Sequence, residues 1–126
     1  MATCFVAIED CSQALAAYYM IASASIPMRD LPPGITKKLP RYPTVPTVRI
    51  GRLAVDLKFR GQGLGGALIA DALRRVLLSP PAAFALLVDA KDDQAVAFYQ
   101  HHGFQPLASQ ARTLFLPIAT AKDTLL

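Results

Sequence analysis

The stretch RGQGLGGALIADALRR, residues 60–75, sets Gly61, Gly63, Gly65 and Gly66 close together and then passes directly into a helical pattern. Glycines ahead of a helix can aim successive backbone N–H groups at a phosphate, since no side chain blocks the approach and the turn is free to use φ > 0. Three chemistries compete for such a cluster. A triphosphate loop needs a lysine and then serine or threonine after its last glycine, and no lysine follows here. The dinucleotide fingerprint GxGxxG is matched literally by Gly61, Gly63 and Gly66, with Asp89 where a ribose-binding acid would stand. In that fold, however, the glycines follow straight on the first strand, whereas LKFR intervenes here, and only about half the chain is left for a second mononucleotide unit. The third reading is a pyrophosphate seated on the turn and on the positive end of a helix that begins at Leu64.

A second feature with chemical meaning is a basic strip. Between Arg29 and Arg52 lie six basic residues (Arg29, Lys37, Lys38, Arg41, Arg49, Arg52) against Asp30 alone, although the whole chain carries a net charge of only +4. A local strip of that kind attracts a polyanion such as RNA, or is simply a solvated face. Cys4 and Cys11 form no CxxC pair and give neither a metal nor a disulfide framework, which points to an intracellular, metal-free protein. MATCFVAIED lacks the basic start of a signal peptide, and VLLSPPAAFALLV is too short for a membrane span and is broken by Pro80 and Pro81. The 126 residues suit one domain, residues 1–126, with 53% hydrophobic residues to fill its core.

Elements must place these residues. TCFVAI (3–8) and ALAAYYMIASASI (14–26) read as a β-hairpin about the turn EDCSQ. Residues 27–46 hold six of the ten prolines and read as an extended loop. TVRIGRLAVD (47–56) resumes a strand whose alternation slips by one residue near Gly51 and Arg52, which predicts a bulge. Leu64, Ala67, Leu68, Ala72 and Val76 recur at helical spacing, with Asp71, Arg74 and Arg75 on the other side, until Ser79, Pro80 and Pro81 stop the helix. AFALLVDA (83–90) reads as a strand buried on both faces, Asp92 as the N-cap and Gly103 as the C-cap glycine of a second helix, and RTLFLPI (112–118) as a last strand. The order makes an α/β fold with an antiparallel start and one βαβ crossover.

The spacing RxxGxG from Arg60 to Gly65, after a strand and before a helix, together with AFYQHHGF, where Tyr99 precedes Gly103 and Phe104, resembles the GNAT family of N-acetyltransferases. The likeness runs from Phe5 to Thr120 and is similar in detail to the family's toxin branch, which acetylates aminoacyl-tRNA. It implies the GNAT fold: a mixed central sheet with antiparallel N-terminal strands and a βαβ core that binds acetyl-CoA. It also implies that the family's first strand and first two helices lie outside this sequence. By that resemblance the cofactor meets Leu53, Ala54 and Val55 through the strand backbone, and Arg60, Gly61, Gln62, Gly63, Leu64, Gly65 and Gly66 through the loop. Tyr99 becomes the catalytic acid; taken alone it would be a core aromatic.

Acetyl transfer to nitrogen asks two things: a neutral amine to attack the thioester, and a donor for the departing thiolate. An aminoacyl α-amine with a pKa no higher than about 7.7–8.0 has a neutral fraction of at least about a tenth near pH 7 and needs little help, whereas a lysine near 10.4 needs a strong base. Residues 47–56 offer only Asp56 for that task, which favours an aminoacyl acceptor. His101 and His102 serve the helix dipole in this reading, and Asp92 its N-cap. The expected partners are aminoacyl-tRNA, contacted by Arg29, Lys37, Lys38 and Arg41, a ribbon-helix-helix antitoxin and a second copy of the chain, all in the cytoplasm. The alternatives are an acetyltransferase for a small amine or peptide N-terminus, and a fragment that binds acetyl-CoA or a partner without turnover.

Overall fold

The computed structural model describes residues 3–32, 44–78, 83–108 and 110–119. Six strands form one sheet, β1 (Thr3–Ile8), β2 (Leu15–Pro27), β3 (Thr44–Val55), β4 (Ala85–Asp89), β5 (Gln105–Leu107) and β6 (Gln110–Pro117), in the spatial order β1-β2-β3-β4-β6-β5. Helices α1 (Leu64–Leu78) and α2 (Asp93–His101) join β3 to β4 and β4 to β5. Strands β1, β2 and β3 are mutually antiparallel, β3 and β4 are parallel, and β6 runs antiparallel to both β4 and β5. This is the expected α/β architecture with its single βαβ crossover.

β4 is the hinge of the packing. Ala85, Leu86, Leu87 and Val88 are wholly buried, because alternate side chains enter different clusters on the two faces of the sheet. Leu86 and Val88 pack with Tyr19, Ile50, Leu114 and the helices, whereas Ala85 and Leu87 join Ile26, Leu31, Val45 and Phe115 on the far side. Each fully buried side chain of this size contributes about 1.5–3 kcal/mol.

Three details depart from the sequence pattern. β3 begins at Thr44, not at 47, with Pro46 inside it. The Pro46 carbonyl accepts the Phe84 N–H at 2.9 Å, so the proline nitrogen faces the same flank, away from β2, and no ladder bond to β2 is lost. β5 is a three-residue edge strand that the pattern hid, since Pro106 lies at its centre. On α1, Ala67 is exposed, while Ile69 and Leu73 are buried beside Leu68, Ala72 and Val76.

Asp71, placed by the sequence on the solvent side of α1, instead ties the helix to the sheet. Tyr19 of β2 donates its hydroxyl to Asp71, Arg75 donates to the same carboxylate at 2.9 Å, and the Arg75 guanidinium lies 3.8 Å from the centre of the Phe5 ring. Burial, reinforced by the Asp71 carboxylate, pushes the Tyr19 phenol up to about 12. The Asp71 carboxyl is held below its usual range, first by the Tyr19 hydrogen bond and then by Arg75. Arg75 is therefore engaged against β1 and β2.

Candidate active site

The site grows from one irregularity in β3. Met20 of β2 pairs with Arg52 and Ile21 with Ile50, so Gly51 is an extra residue: the bulge expected at that point. β3 pairs with β4 only from Thr47 to Ile50; beyond the bulge it stays with β2 and leaves β4. Leu53, Ala54 and Val55 thus border a V-shaped opening in a sheet that is otherwise continuous, where an extended ligand can lie against backbone as an added strand would.

A turn at Leu57–Phe59, capped by the Asp56 carboxylate accepting the Lys58 N–H at 2.9 Å, leads the chain to the glycine loop. Asp56 is thus occupied locally. Gly61 and Gly63 have φ of 81° and 76°, and a Cβ on either would meet nothing within 4 Å, so these positions keep both the left-handed turn and open space above it. The Gly63 carbonyl accepts the Ala67 N–H at 3.1 Å, the first bond of α1. The N–H groups of Leu64, Gly65 and Gly66 precede the helical ladder and point out of its positive end, the arrangement that holds a pyrophosphate.

Gly65 and Gly66 have a further reason to be glycine. A Cβ on Gly65 would come 2.8 Å from Phe98 Cζ, and one on Gly66 2.8 Å from His102 Cε1. Their bareness lets α2 close against the start of α1. Loop and helices then enclose a cleft of about 660 Å³ whose walls include Leu53, Ala54 and Val55, Arg60, Gly61 and Gly63 to Gly66, and Tyr99. Gln62 is exposed and is not among the lining residues. His101 and His102, set aside in the sequence reading, do line the cleft, as do Lys91 and Gln94. Burial, aided by the neighbouring His101, keeps the His102 imidazole below its ordinary pKa, so the ring packs in neutral form.

Tyr99 is positioned by the end of α2. The Gly103 N–H donates to the Gln100 carbonyl at 3.0 Å and the Phe104 N–H to the Tyr99 carbonyl at 3.1 Å, with Gly103 at φ 95°. This is a Schellman cap, and its accompanying hydrophobic contact is the Tyr99–Phe104 ring pair, 5.4 Å between centroids. The tyrosine-to-GF spacing is therefore a capping geometry that fixes the phenol. Tyr99 is only 8% exposed, and burial raises its pKa, so it stays protonated at neutral pH. Among the described residues its hydroxyl has no hydrogen-bond partner.

A second cavity, of about 310 Å³, opens beside the splay and is lined by Tyr18, Gly51, Arg52 and Asp89. Leu53, Ala54, Lys91, Ala95 and Tyr99 border both spaces, so the phenol stands where they adjoin. Of the residues expected to meet RNA, Arg29 is exposed on the turn after β2, and Lys37, Lys38 and Arg41 lie outside the described residues. Arg49 is committed to an ion pair with Asp89. No cluster of potential metal ligands occurs among the described residues.

Residues 39–114 match the family model described as the acetyltransferase (GNAT) domain. The chain belongs to the GNAT family. This acetyltransferase is 32% identical over 128 residues to a probable toxin TacT of Sinorhizobium fredii, across 94% of this chain and 71% of that relative. It is 36% identical over 104 residues to a tRNA-acetylating toxin of Mycobacterium tuberculosis, across 81% of this chain and 60% of that protein. The chain thus spans 60–71% of the length of these two relatives. Among solved structures, AtaT complexed with acetyl-methionyl-tRNAfMet superimposes with a TM-score of 0.88 at 27% identity, over 98% of this chain and 75% of that one. AtaTR bound with AcCoA gives 0.77 at 26% identity, over 98% and 74%.

Proposed function

We propose that this GNAT domain transfers an acetyl group from acetyl-CoA to the amino group of an aminoacyl-tRNA, and so acts as a toxin that blocks translation. The observation that carries the reading is Tyr99 at the junction of two spaces, a long cleft ending at the glycine loop and a second cavity behind the splayed strand. Acetyl-CoA fits the first: pyrophosphate on the N–H groups from Gly63 to Gly66, pantetheine along Leu53 to Val55, and thioester at the splay. No metal takes part in the reading. The acceptor amine enters from the second cavity and attacks the thioester carbon; the C–S bond breaks, and the thiolate takes the Tyr99 proton as the amine loses one to solvent. Arg29, Lys37, Lys38 and Arg41 serve the acceptor's phosphates.

The kinship with a tRNA-acetylating toxin and with AtaT, bound to acetyl-methionyl-tRNAfMet, supports an aminoacyl acceptor over a free small amine or a peptide N-terminus. A ribbon-helix-helix antitoxin, a homodimer and a cytoplasmic setting belong to the same reading and rest on motif resemblance; no described helix is long and apolar enough to cross a membrane. The decisive experiment incubates the protein with labelled acetyl-CoA and total charged tRNA, then identifies the labelled aminoacyl group after mild base hydrolysis. Label on one or a few aminoacyl groups is expected. Absence of label on RNA, with transfer to small amines or none at all, overturns the proposal.

A further inference from the structure

The second cavity contains one carboxylate. Of its described lining residues, Arg52 and Lys91 are cationic, Tyr18 and Tyr99 are phenols, and Asp89 is the one acid. Asp89 ends β4, beyond the last residue that pairs with β3, so its flank toward β3 is open. On the other flank it faces Thr113 of β6. Its carboxylate is held by the Arg49 guanidinium on Oδ2 and met on Oδ1 at 2.9 Å by the Thr113 hydroxyl, whose single proton is shared between Asp89 and Gln110 Oε1 at 2.8 Å.

That arrangement is more than an ion pair needs. An ionised carboxylate offers about four acceptor sites, and two donors leave capacity unused. The Asp89 side chain remains 52% exposed although its orientation is fixed, so the free capacity borders the cavity. Tyr99 already accounts for the thiolate, which leaves Asp89 without a part in that half of the reaction. A carboxylate only accepts hydrogen bonds, and it accepts them from an amine or an ammonium, which the acceptor of an N-acetyltransferase must present. The cations Arg52 and Lys91 on the same wall fit a phosphodiester close to that amine, the pattern at the 3′ end of a charged tRNA.

We infer that Asp89 binds the amino group of the acceptor, and that Arg49 and Thr113 are positioning residues that hold its carboxylate toward the cavity. The inference rests on the aminoacyl-tRNA reading and names the residue that selects the nucleophile. The glycine loop addresses the coenzyme side, and Tyr99, at the junction, is assigned to the departing thiolate. Asp89 favours an α-amino group over an α-hydroxyl or an already acetylated nitrogen.

The test uses the tRNA that accepts label in the assay above. Nitrous acid converts its aminoacyl group to the α-hydroxyacyl form, giving two probes that differ in one group. Binding is measured with coenzyme A present in the Tyr99→Phe protein, so that no turnover intervenes. The amino form is expected to bind about tenfold tighter than the hydroxy form, the scale of one charge-assisted hydrogen bond. Adding Asp89→Asn brings the two within about twofold by weakening the amino form alone, and Asp89→Glu, which keeps the charge, restores much of the difference. A preference that survives Asp89→Asn overturns the inference. Equal weakening of both probes, or a loss of coenzyme binding with it, makes Asp89 structural and also overturns it. If no RNA takes label, the functional reading and this inference fall together; label on RNA with an unaltered preference removes the inference alone.

Discussion

At the scale of single residues, the site separates groups that act on the ligand from groups that make room for it. Tyr99 is the proposed acting group: it is buried, its pKa is raised by that burial, and its hydroxyl has no partner among the described residues. Tyr99→Phe keeps the rings in contact with Phe98 and Phe104 and removes one proton donor. Turnover is expected to fall about 10²-fold or more with the acetyl-CoA dissociation constant unchanged. Because the folded pKa lies above the ordinary phenol value near 10, the wild-type rate shows no alkaline limb from Tyr99 below that value. A kcat within twofold of wild type would remove Tyr99 from the mechanism. Gly65 makes room. In Gly65→Ala the new methyl meets Phe98 at 2.8 Å, so α2 must shift or Phe98 must turn, at about 1–3 kcal/mol. A lowered melting temperature is expected together with weaker acetyl-CoA binding, and full stability with weak binding would mean that Gly65 serves the ligand only. The glycine turn before α1 was legible because glycine spacing is local. The second duty of Gly65 and Gly66 was not, because Phe98 and His102 reach them only through the fold.

Elements were legible where their signal was their own and obscured where a proline spoke louder. The slip in alternation at Gly51 marked the bulge, and Gly103 marked the end of α2, where the structure has a Schellman cap. The start of β3 and all of β5 were hidden because Pro46 and Pro106 read as breakers, although each lies where a missing N–H is tolerated. Asp71 was misplaced for a different reason. A carboxylate on a helix reads as solvent-facing, and its partner Tyr19 is on another element. The Tyr19–Asp71–Arg75 group docks α1 on the hairpin and carries a pH signature. Tyr19 has a folded pKa near 12 against about 10 when unfolded, so its contribution is complete below pH 10 and lost as pH rises toward 12. Asp71 is shifted down, so its contribution is present above its ordinary value near 3.9 and lost as pH falls below it. Tyr19→Phe removes the first cause of the Asp71 shift. It is expected to cost roughly 1.5–3 kcal/mol at neutral pH, the worth of a hydrogen bond to a charged group, and progressively less at both extremes. Chemical denaturation across pH tests this; a stability difference that stays constant from pH 3 to 12 would contradict it.

Across the whole molecule, the proposed function divides the work between the glycine-loop mouth for the donor and the basic strip for the acceptor. In the proposed function the coenzyme enters over α1 and α2, while the strip from Arg29 to Arg52 lies in the sequence between β2 and the bulge. Its net positive charge is modest overall and concentrated there, which is how a small protein gains affinity for a long polyanion without becoming generally adhesive. Binding of that kind has a salt signature, because each phosphate neutralised releases condensed counterions. Replacing Lys37, Lys38 and Arg41 together with alanine removes three candidate contacts. The slope of log K against log salt is then expected to become shallower by about 2–3, at roughly 0.7–0.9 per charge. The loss is greatest at low salt and fades as salt rises. kcat at saturating tRNA stays near wild type, because none of the three belongs to the transfer chemistry, whereas the apparent KM for tRNA rises. An unchanged slope assigns the three charges to another surface, and unchanged tRNA binding with loss of antitoxin inhibition assigns them to the protein partner. Arg49 supplies the internal contrast: its charge is spent on Asp89, so Arg49→Met should alter the preference for the amino group more than the salt slope. The two measurements on one protein thus separate attraction of the RNA from selection of the nitrogen it carries.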